Sequence, residues 1–380
     1  MQQTKRHSFL FVISFFLLLV GFSVAALCLP DKEISESERR YYEKFPKFSM
    51  QTVMDGSYME KLEKYLLDHF AGRDAFRIVK TELETTLFGK KDANQYVKED
   101  GYLFELDLDW SKEQVTKTAK AFVKLQKEWF ADANVFFAVI PDKTAFLPKE
   151  QYPVDTEGLI AELLKENLVE AQYIDLYPYL SLEDYYKTDL HWKQESITDV
   201  ADALLDGLDA FAYNESAADK NEMMQASSKY ENQLITSDFY GGYAGGSAYD
   251  VEPEELIGLT NEIIDSATVY DYEAGKEITM YALEKVDGTD PYDYYLWGAR
   301  ALLSVKNPLC ENGKKLLLFR DSFGSSIAPL LLEGYEEITL VDLRYITAAY
   351  LPKLIEFSDY EDVLFLYSEK VLQNSGSLKF

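Results

Sequence analysis

Two short stretches of the chain combine residue types that can carry out acid–base and nucleophilic chemistry. "KTDLHW" (187–192) places Asp189 two residues before His191, and "RDSFGSS" (320–326) places Ser322 between a predicted strand and a predicted helix. The chain has only three histidines, and His191 is the one that follows a predicted strand. A serine nucleophile needs a base, and the base needs an orienting carboxylate. Ser322, His191 and Asp189 are therefore candidates for a Ser-His-Asp site.

Each of these residues also has a purely structural interpretation. Asp321 or Ser322 could cap the helix that follows by accepting its free N–H groups, and Gly324 would then be incidental. His191 could be a buried histidine whose ring nitrogens are satisfied within the core. Asp189 could orient the imidazole if the segment is extended, because side chains two residues apart share one face of a strand. The short motifs alone leave both interpretations open.

Buried strands alternate with helices along most of the chain, and these elements must position the candidates. The predicted strands are 134–141, 172–178, 314–319, 337–342 and 362–367; the predicted helices are 111–133, 155–171, 193–212, 324–334 and 345–357. This alternation predicts a parallel sheet covered on both faces. The predicted fold class is α/β, a three-layer sandwich with a parallel sheet of about five strands. Functional sites in such folds form at the carboxyl ends of the strands.

The remaining segments flank or interrupt this alternation. Residues 1–30 are predicted to be a signal anchor or signal peptide, and 31–98 a juxtamembrane and helical entry region with a helix at about 58–88. The α/β domain is predicted at 99–380. Within it, the interval 213–300 breaks the rhythm and is predicted to be a loop-rich insert, because "SDFYGGYAGGSAYD" is dense in glycine and tyrosine. Long loops on a compact core commonly carry function.

The N-terminus predicts export from the cytoplasm. Lys5 and Arg6 precede an apolar run over 9–28, and twenty apolar residues in a helix span roughly 30 Å, the thickness of a bilayer core. Acidic residues follow the run, so the positive-inside rule places 31–380 outside the cell. We predict a domain on the extracellular face of the membrane, held by a single-pass N-terminal helix. Cleavage after "SVA" would instead give a secreted protein.

Composition excludes several classes of partner and cofactor. A formal net charge of −28 repels nucleic acid, because nucleic-acid binding depends on basic residues that neutralise phosphates. Three histidines and no cysteine cluster argue against a zinc site, and no glycine-rich phosphate loop with a following lysine appears. We therefore predict no metal and no cofactor.

The two motifs together resemble the DHHW protein family. That family is similar to the SGNH-like domains of alginate O-acetyltransferases and related polysaccharide acetylation proteins. The resemblance implies an SGNH-hydrolase-like fold in which the triad aspartate, histidine and serine fall on Asp189, His191 and Ser322. Further family-like stretches follow in the same order along the chain: "SESERRYYEKFPKFS" (35–49), "DHFAGRDAFR" (68–77), "DGYLF" (100–104), "PDK" (141–143), "FYGGYAGGSAYD" (239–250) and "VDLRYI" (341–346).

The resemblance also implies an activity, with one alternative. It implies an O-acetyltransferase or esterase that acts on a cell-surface or secreted polysaccharide, with a multi-span membrane acyltransferase as the acyl donor. Leu190 stands where the family often has histidine, and Ala299 follows Gly298 where relatives often have an asparagine. In SGNH enzymes an asparagine contributes to the oxyanion hole. Its absence favours the alternative, a catalytically inactive glycan-binding or scaffold protein.

Aromatic residues and glycines near the motifs are the candidates for binding a sugar. Aromatic faces can stack on pyranose rings, and backbone N–H groups of glycines can approach a developing oxyanion closely. Ordinary packing is the alternative role for each of them. The candidates are Trp192, Tyr240, Tyr243, Gly245, Gly246 and Trp297.

Overall fold

The computed structural model of the chain describes residues 2–35, 37–106, 110–148, 151–152, 158–210 and 229–380. The chain forms two compact units. The first comprises Met1–Lys98 and Gly242–Val251, and the second comprises Glu99–Gly241 and Glu252–Phe380. Both candidate motifs, 187–192 and 320–326, lie in the second unit.

Helices and strands are numbered here in chain order. The α-helices are α1 (Gln2–Cys28), α2 (Met50–Met54), α3 (Ser57–Asp68), α4 (Arg73–Glu82), α5 (Lys112–Trp129), α6 (Leu159–Asn167), α7 (Thr198–Gly207), α8 (Gly242–Ser247), α9 (Glu262–Ser266), α10 (Phe323–Leu331) and α11 (Glu369–Gln373). The strands are β1 (Ile34–Ser35), β2 (Arg40–Tyr41), β3 (Tyr96–Glu99), β4 (Tyr102–Glu105), β5 (Asn134–Ile140), β6 (Gln172–Ile174), β7 (Glu231–Phe239), β8 (Glu254–Thr260), β9 (Thr268–Asp271), β10 (Lys276–Ile278), β11 (Leu302–Lys306), β12 (Lys315–Arg320), β13 (Glu337–Val341) and β14 (Asp362–Ser368).

The first unit is mainly helical. The single helix predicted at about 58–88 is two α-helices, α3 and α4, followed by a π-helical turn at Leu83–Leu87. The break falls at Gly72, whose φ of 74° lies in the left-handed region that glycine adopts without strain. Among the described residues, none of the helices has the length and apolarity that a bilayer crossing requires. The predicted membrane-spanning helix is therefore not found.

The second unit is built on one eight-stranded sheet with the order β10-β9-β11-β13-β12-β14-β5-β6. The five strands from β13 to β6 run parallel and correspond to the five predicted strands. Strands β11, β9 and β10 extend the sheet in antiparallel pairings. The α/β class is confirmed, but the sheet is mixed rather than wholly parallel, and it is larger than the predicted five strands. The added strands are short, and their residues lack the long apolar runs that mark the central strands.

Hydrophobic cores cover both faces of this sheet. Along β12, Leu316 and Leu318 pack into one core with helices α7 and α10, whereas Leu317 and Phe319 pack into the other with α5 and α6. Neighbouring residues of a strand point to opposite faces, so a strand covered on both sides must be apolar throughout. This explains why the strand next to the serine motif reads as an unbroken apolar run.

The described part of the predicted insert contains four strands as well as loops. Residues 213–228 of it lie outside the described part of the chain. Strands β7 and β8 form an antiparallel pair with two register shifts, and β9 and β10 join the main sheet. The helix predicted at 345–357 is a 3-10 helix, Ala348–Lys353, that contains Pro352; proline lacks the N–H that an interior helical position requires.

Candidate active site

Ser322 lies at the turn between β12 and α10. It occupies the N-cap position of α10, but its side chain accepts no capping hydrogen bond. Asp321 holds the turn instead: Oδ1 accepts from the backbone N–H of Phe323 at 3.0 Å, and Oδ2 accepts from Ser368 N and Oγ at 2.8 and 2.6 Å. The Asp321 carboxylate thereby links the turn to the end of β14. The Ser322 hydroxyl is left for a different partner, so the capping interpretation does not account for it.

That partner is His191. The Nε2 atom of His191 lies 2.7 Å from Ser322 Oγ, and its Nδ1 atom lies 2.6 Å from Asp189 Oδ1. A carboxylate only accepts hydrogen bonds, so Nδ1 carries the proton and Nε2 of the neutral ring accepts from the Ser322 hydroxyl. The same Asp189 oxygen accepts from the His191 backbone N–H at 3.1 Å. The three predicted side chains therefore form one hydrogen-bonded chain.

The three hydrogen-bonded side chains differ in burial. The side chains of Asp189 and His191 are buried, with 0% and 4% of the residue surface exposed, whereas Ser322 is partly exposed. A negative charge in a poorly solvated position interacts strongly with a nearby positive charge. Asp189 can therefore stabilise an imidazolium at His191, while Ser322 remains accessible to a reactant. This arrangement can support nucleophilic attack by serine on an acyl group.

Aromatic stacking fixes the plane of the imidazole ring. The ring of Tyr292 lies parallel to that of His191, with centroids 3.8 Å apart and an interplanar angle of 8°, and Phe323 flanks the ring at 4.8 Å. Both Tyr292 Oη and Trp192 Nε1 donate to Ser326 Oγ at 2.8 Å. Ser326 belongs to α10, so the helix that follows the serine also holds the residues that pack on the histidine.

The predicted sugar-binding residues of the second unit have different environments. Trp192 is fully buried in the core, so its ring face is unavailable for stacking on a sugar. Tyr240 is 44% exposed. The indole of Trp297 donates to the Thr279 carbonyl at 3.0 Å. Tyr240 is the most exposed of the three, and Trp297 is partly exposed.

Tyr243, Gly245 and Gly246 belong to the first unit. The Tyr243 ring packs against Tyr96, with centroids 5.3 Å apart. A Cβ added to Gly245 would lie 1.4 Å from the Ser37 carbonyl oxygen, and this contact accounts for glycine at that position. In the described residues no group of three or more histidine, cysteine, aspartate or glutamate side chains could hold a metal ion.

Comparison with known proteins identifies the fold. No family model and no curated protein matches the sequence. Among solved structures, a DHHW family protein from Eubacterium siraeum aligns with a TM-score of 0.59 and 21% identity, over 75% of this chain and 94% of that chain. The chain has the fold of a DHHW family protein. The predicted resemblance is thus confirmed at the level of the fold.

A second protein shares the fold at similar coverage. Bacillus cereus PatB1 aligns with a TM-score of 0.58 and 18% identity, over 73% of this chain and 96% of that chain. A structure of PatB1 with a sulfonyl adduct aligns with a TM-score of 0.55, over 73% of this chain and 97% of that chain.

Several residues that shape the candidate site carry no recognisable signal in the sequence. Tyr292 is one of 28 tyrosines, and nothing in its neighbourhood indicates that it stacks on a histidine. Ser326 appears as an ordinary helical residue. Lys143 lies three residues after the end of β5, so its position indicates that it is near the carboxyl end of a parallel strand, but not which groups it binds.

Gly241 gives a first test of how tightly the aspartate segment is held. Its N–H donates to Thr188 Oγ1 at 3.0 Å, and a Cβ there would lie 2.2 Å from Thr188 O and 2.4 Å from Asp189 Cβ. The replacement Gly241→Ala must displace this backbone, so we expect a loss of about 1–3 kcal/mol in unfolding free energy. Urea denaturation measures it. The matched control is Gly376→Ala, where the nearest atom to the new Cβ is 3.7 Å away; equal stability of the two variants would contradict the prediction.

Proposed function

We propose that this protein transfers an acyl group to a hydroxyl of a polysaccharide through a covalent ester on Ser322. The observation that carries the proposal is the continuous hydrogen-bonded chain from Ser322 Oγ through His191 to Asp189, with contacts of 2.7 and 2.6 Å. Such a chain can activate a serine at neutral pH. The resemblance of both motifs to polysaccharide acetylation proteins supports an acetyl group, a carbohydrate acceptor and a site outside the cytoplasm.

The first half-reaction forms the acyl-enzyme. Ser322 Oγ attacks the carbonyl carbon of the donor ester while its proton passes to His191 Nε2. The tetrahedral intermediate collapses, the bond to the donor oxygen breaks, and His191 returns the proton to that leaving oxygen. Asp189 accepts the hydrogen bond from Nδ1 throughout and stabilises the transient imidazolium.

The second half-reaction regenerates the serine. A hydroxyl of the acceptor sugar attacks the acyl carbon and gives its proton to His191 Nε2. The bond to Ser322 Oγ breaks, and His191 returns the proton to Ser322. If water takes the place of the sugar hydroxyl, the same steps give an esterase.

A relative with the same fold supports a reactive nucleophile. The Bacillus cereus protein PatB1 has been captured with a sulfonyl adduct. Sulfonyl groups are electrophiles that form covalent bonds with activated nucleophiles such as a serine paired with a base. The fold can therefore hold a group that reacts with electrophiles.

An inactive glycan-binding or scaffold protein is the second candidate. Ala299, in place of the asparagine often found in relatives, favours it, because an amide donor to the oxyanion is then missing. Loss of one such donor typically lowers kcat by about 10²–10³-fold. The enzyme and the scaffold protein can be told apart by whether Ser322 reacts with an electrophile.

Covalent labelling by a fluorophosphonate distinguishes these candidates. We expect one probe molecule per chain on Ser322, detected by intact mass and peptide mapping, and no labelling of Ser322→Ala. His191→Ala should label more slowly because the base is gone. The control is Ser377→Ala, at an exposed serine near the C-terminus, which should label like the unmodified protein. A folded protein that does not label contradicts the enzyme and supports the scaffold.

A further inference from the structure

Lys143 is a lysine buried beneath the aspartate segment. It follows β5 in the stretch Pro141-Asp142-Lys143, and only 1% of its surface is exposed. Its ammonium donates to the carbonyl oxygens of Tyr186 at 2.8 Å, Lys187 at 3.3 Å and Asp189 at 2.7 Å. An ammonium has three donors, and each of these three carbonyl oxygens lies within hydrogen-bond distance of it. Lys143 thus binds backbone carbonyl groups of the segment that ends at Asp189.

Glu254 binds the N–H side of the same segment. It is the first residue of β8, and its two carboxylate oxygens accept from the backbone N–H groups of Lys187 and Thr188, each at 2.8 Å. Oε2 also accepts from Thr188 Oγ1 at 2.7 Å. The carboxylate and the ammonium therefore bind complementary backbone groups, donors on one side and acceptors on the other.

We propose that Lys143 and Glu254 are positioning residues that hold segment 186–189 between opposite charges and thereby keep Asp189 in hydrogen-bond contact with His191. The proposal deepens the acyl-transfer function and rests on it for its catalytic meaning. Neither side chain touches the reacting atoms. Both act through backbone atoms within three residues of Asp189, and hydrogen bonds to charged groups are about twice as strong as neutral ones.

Burial and the neighbouring charges have opposite effects on the protonation of Lys143. Burial lowers the pKa of Lys143 to about 7, while the carboxylates of Asp189, Asp142 and Glu254 raise it and Lys193 lowers it further. The rings of Tyr102 and Phe104 also face the ammonium, with centroids 5.9 and 5.5 Å from Nζ. The ammonium therefore begins to lose its proton near neutral pH, and a neutral amine has two donors for the three carbonyls.

Histidine-selective NMR tests the proposal without relying on activity. The chain has only three histidines, so ¹⁵N-histidine labelling resolves the Nδ1–H resonance of His191, which its bond to Asp189 shifts downfield. We expect Lys143→Met and Glu254→Gln to broaden or remove this resonance and to slow fluorophosphonate labelling about 10–100-fold. Raising the pH from 6 to 8.5 should weaken the resonance in the unmodified protein, whereas any resonance that remains in Lys143→Met should not show this pH dependence.

Matched controls and a double variant make the result decisive. Lys117→Met and Glu255→Gln replace exposed residues of α5 and β8, and both should retain the resonance and the labelling rate. The double variant Lys143→Met/Glu254→Gln should lose less than the product of the single losses, because both residues hold one segment. An unchanged His191 resonance in both folded single variants would overturn the proposal. If the variants lose the resonance while the unmodified protein never labels, the positioning role of Lys143 and Glu254 is supported and the acyl-transfer function fails.

Discussion

Asp189→Asn is expected to lower kcat/KM for acyl transfer by about 10⁴-fold, as removal of the orienting carboxylate does in serine triads generally. An asparagine amide that turns its NH₂ group toward Nδ1 requires an unprotonated Nδ1, and the proton then lies on Nε2. In that tautomer the nitrogen facing Ser322 cannot accept the hydroxyl proton. The backbone of the segment should stay in place, because Lys143 and Glu254 bind groups that the substitution leaves intact.

The measurement is the rate of acyl transfer from an activated acetyl ester to an oligosaccharide, with hydrolysis followed in parallel. Asp132→Asn, at an exposed aspartate, is the matched control and should retain full activity. Urea denaturation of both variants establishes that they are folded. A loss smaller than about tenfold in folded Asp189→Asn would show that His191 needs no carboxylate to act as the base.

The central strands could be predicted from the sequence because burial on both faces requires continuous apolar segments. Both faces of β12 and β14 are covered, so the two segments are apolar throughout and stand out from their surroundings. Strands β9, β10 and β11 gave no such signal. They are three to five residues long and pair antiparallel near one edge of the sheet, where short apolar runs are ambiguous.

The candidate triad could be predicted for a similar reason. Histidine is rare in this chain, and both Ser322 and His191 follow predicted strands whose carboxyl ends must meet at one edge of the sheet. The residues that hold the triad could not be predicted in this way. Lys143 binds carbonyl groups 43 to 46 residues away, and Glu254 binds N–H groups 66 and 67 residues away. Every residue has such backbone groups, so their partners depend on the path of the chain.

Glu369 provides the second prediction, which concerns stability. It follows β14 directly and is fully buried. Its Oε1 accepts from Tyr177 Oη at 2.6 Å, and its Oε2 accepts from Asp142 N at 3.0 Å. Burial raises the pKa of Glu369 to about 8; the two hydrogen bonds lower it, and the charge of Asp142 raises it further. The carboxyl group therefore keeps its proton in the folded state at pH values where it has lost it in the unfolded state.

The sign of the pH dependence follows from this difference. Between about pH 4.5 and pH 8 the folded state binds one more proton at this group than the unfolded state does, so the free energy of unfolding falls as pH rises. The slope is about 1.4 kcal/mol per pH unit for one fully displaced proton. Glu369→Gln is isosteric with the protonated side chain and carries no charge at any pH. Relative to the unmodified protein, the variant should gain stability steadily from pH 5 to pH 8.

Urea denaturation at pH 5, 6.5 and 8 measures the difference in unfolding free energy between Glu369→Gln and the unmodified protein. The control is Glu361→Gln, at an exposed glutamate immediately before β14. The two proteins should be nearly equal in stability at pH 5 and differ most at pH 8, whereas the control should show no such divergence. Parallel stability curves for Glu369→Gln and the unmodified protein would mean that the carboxyl group titrates alike in both states.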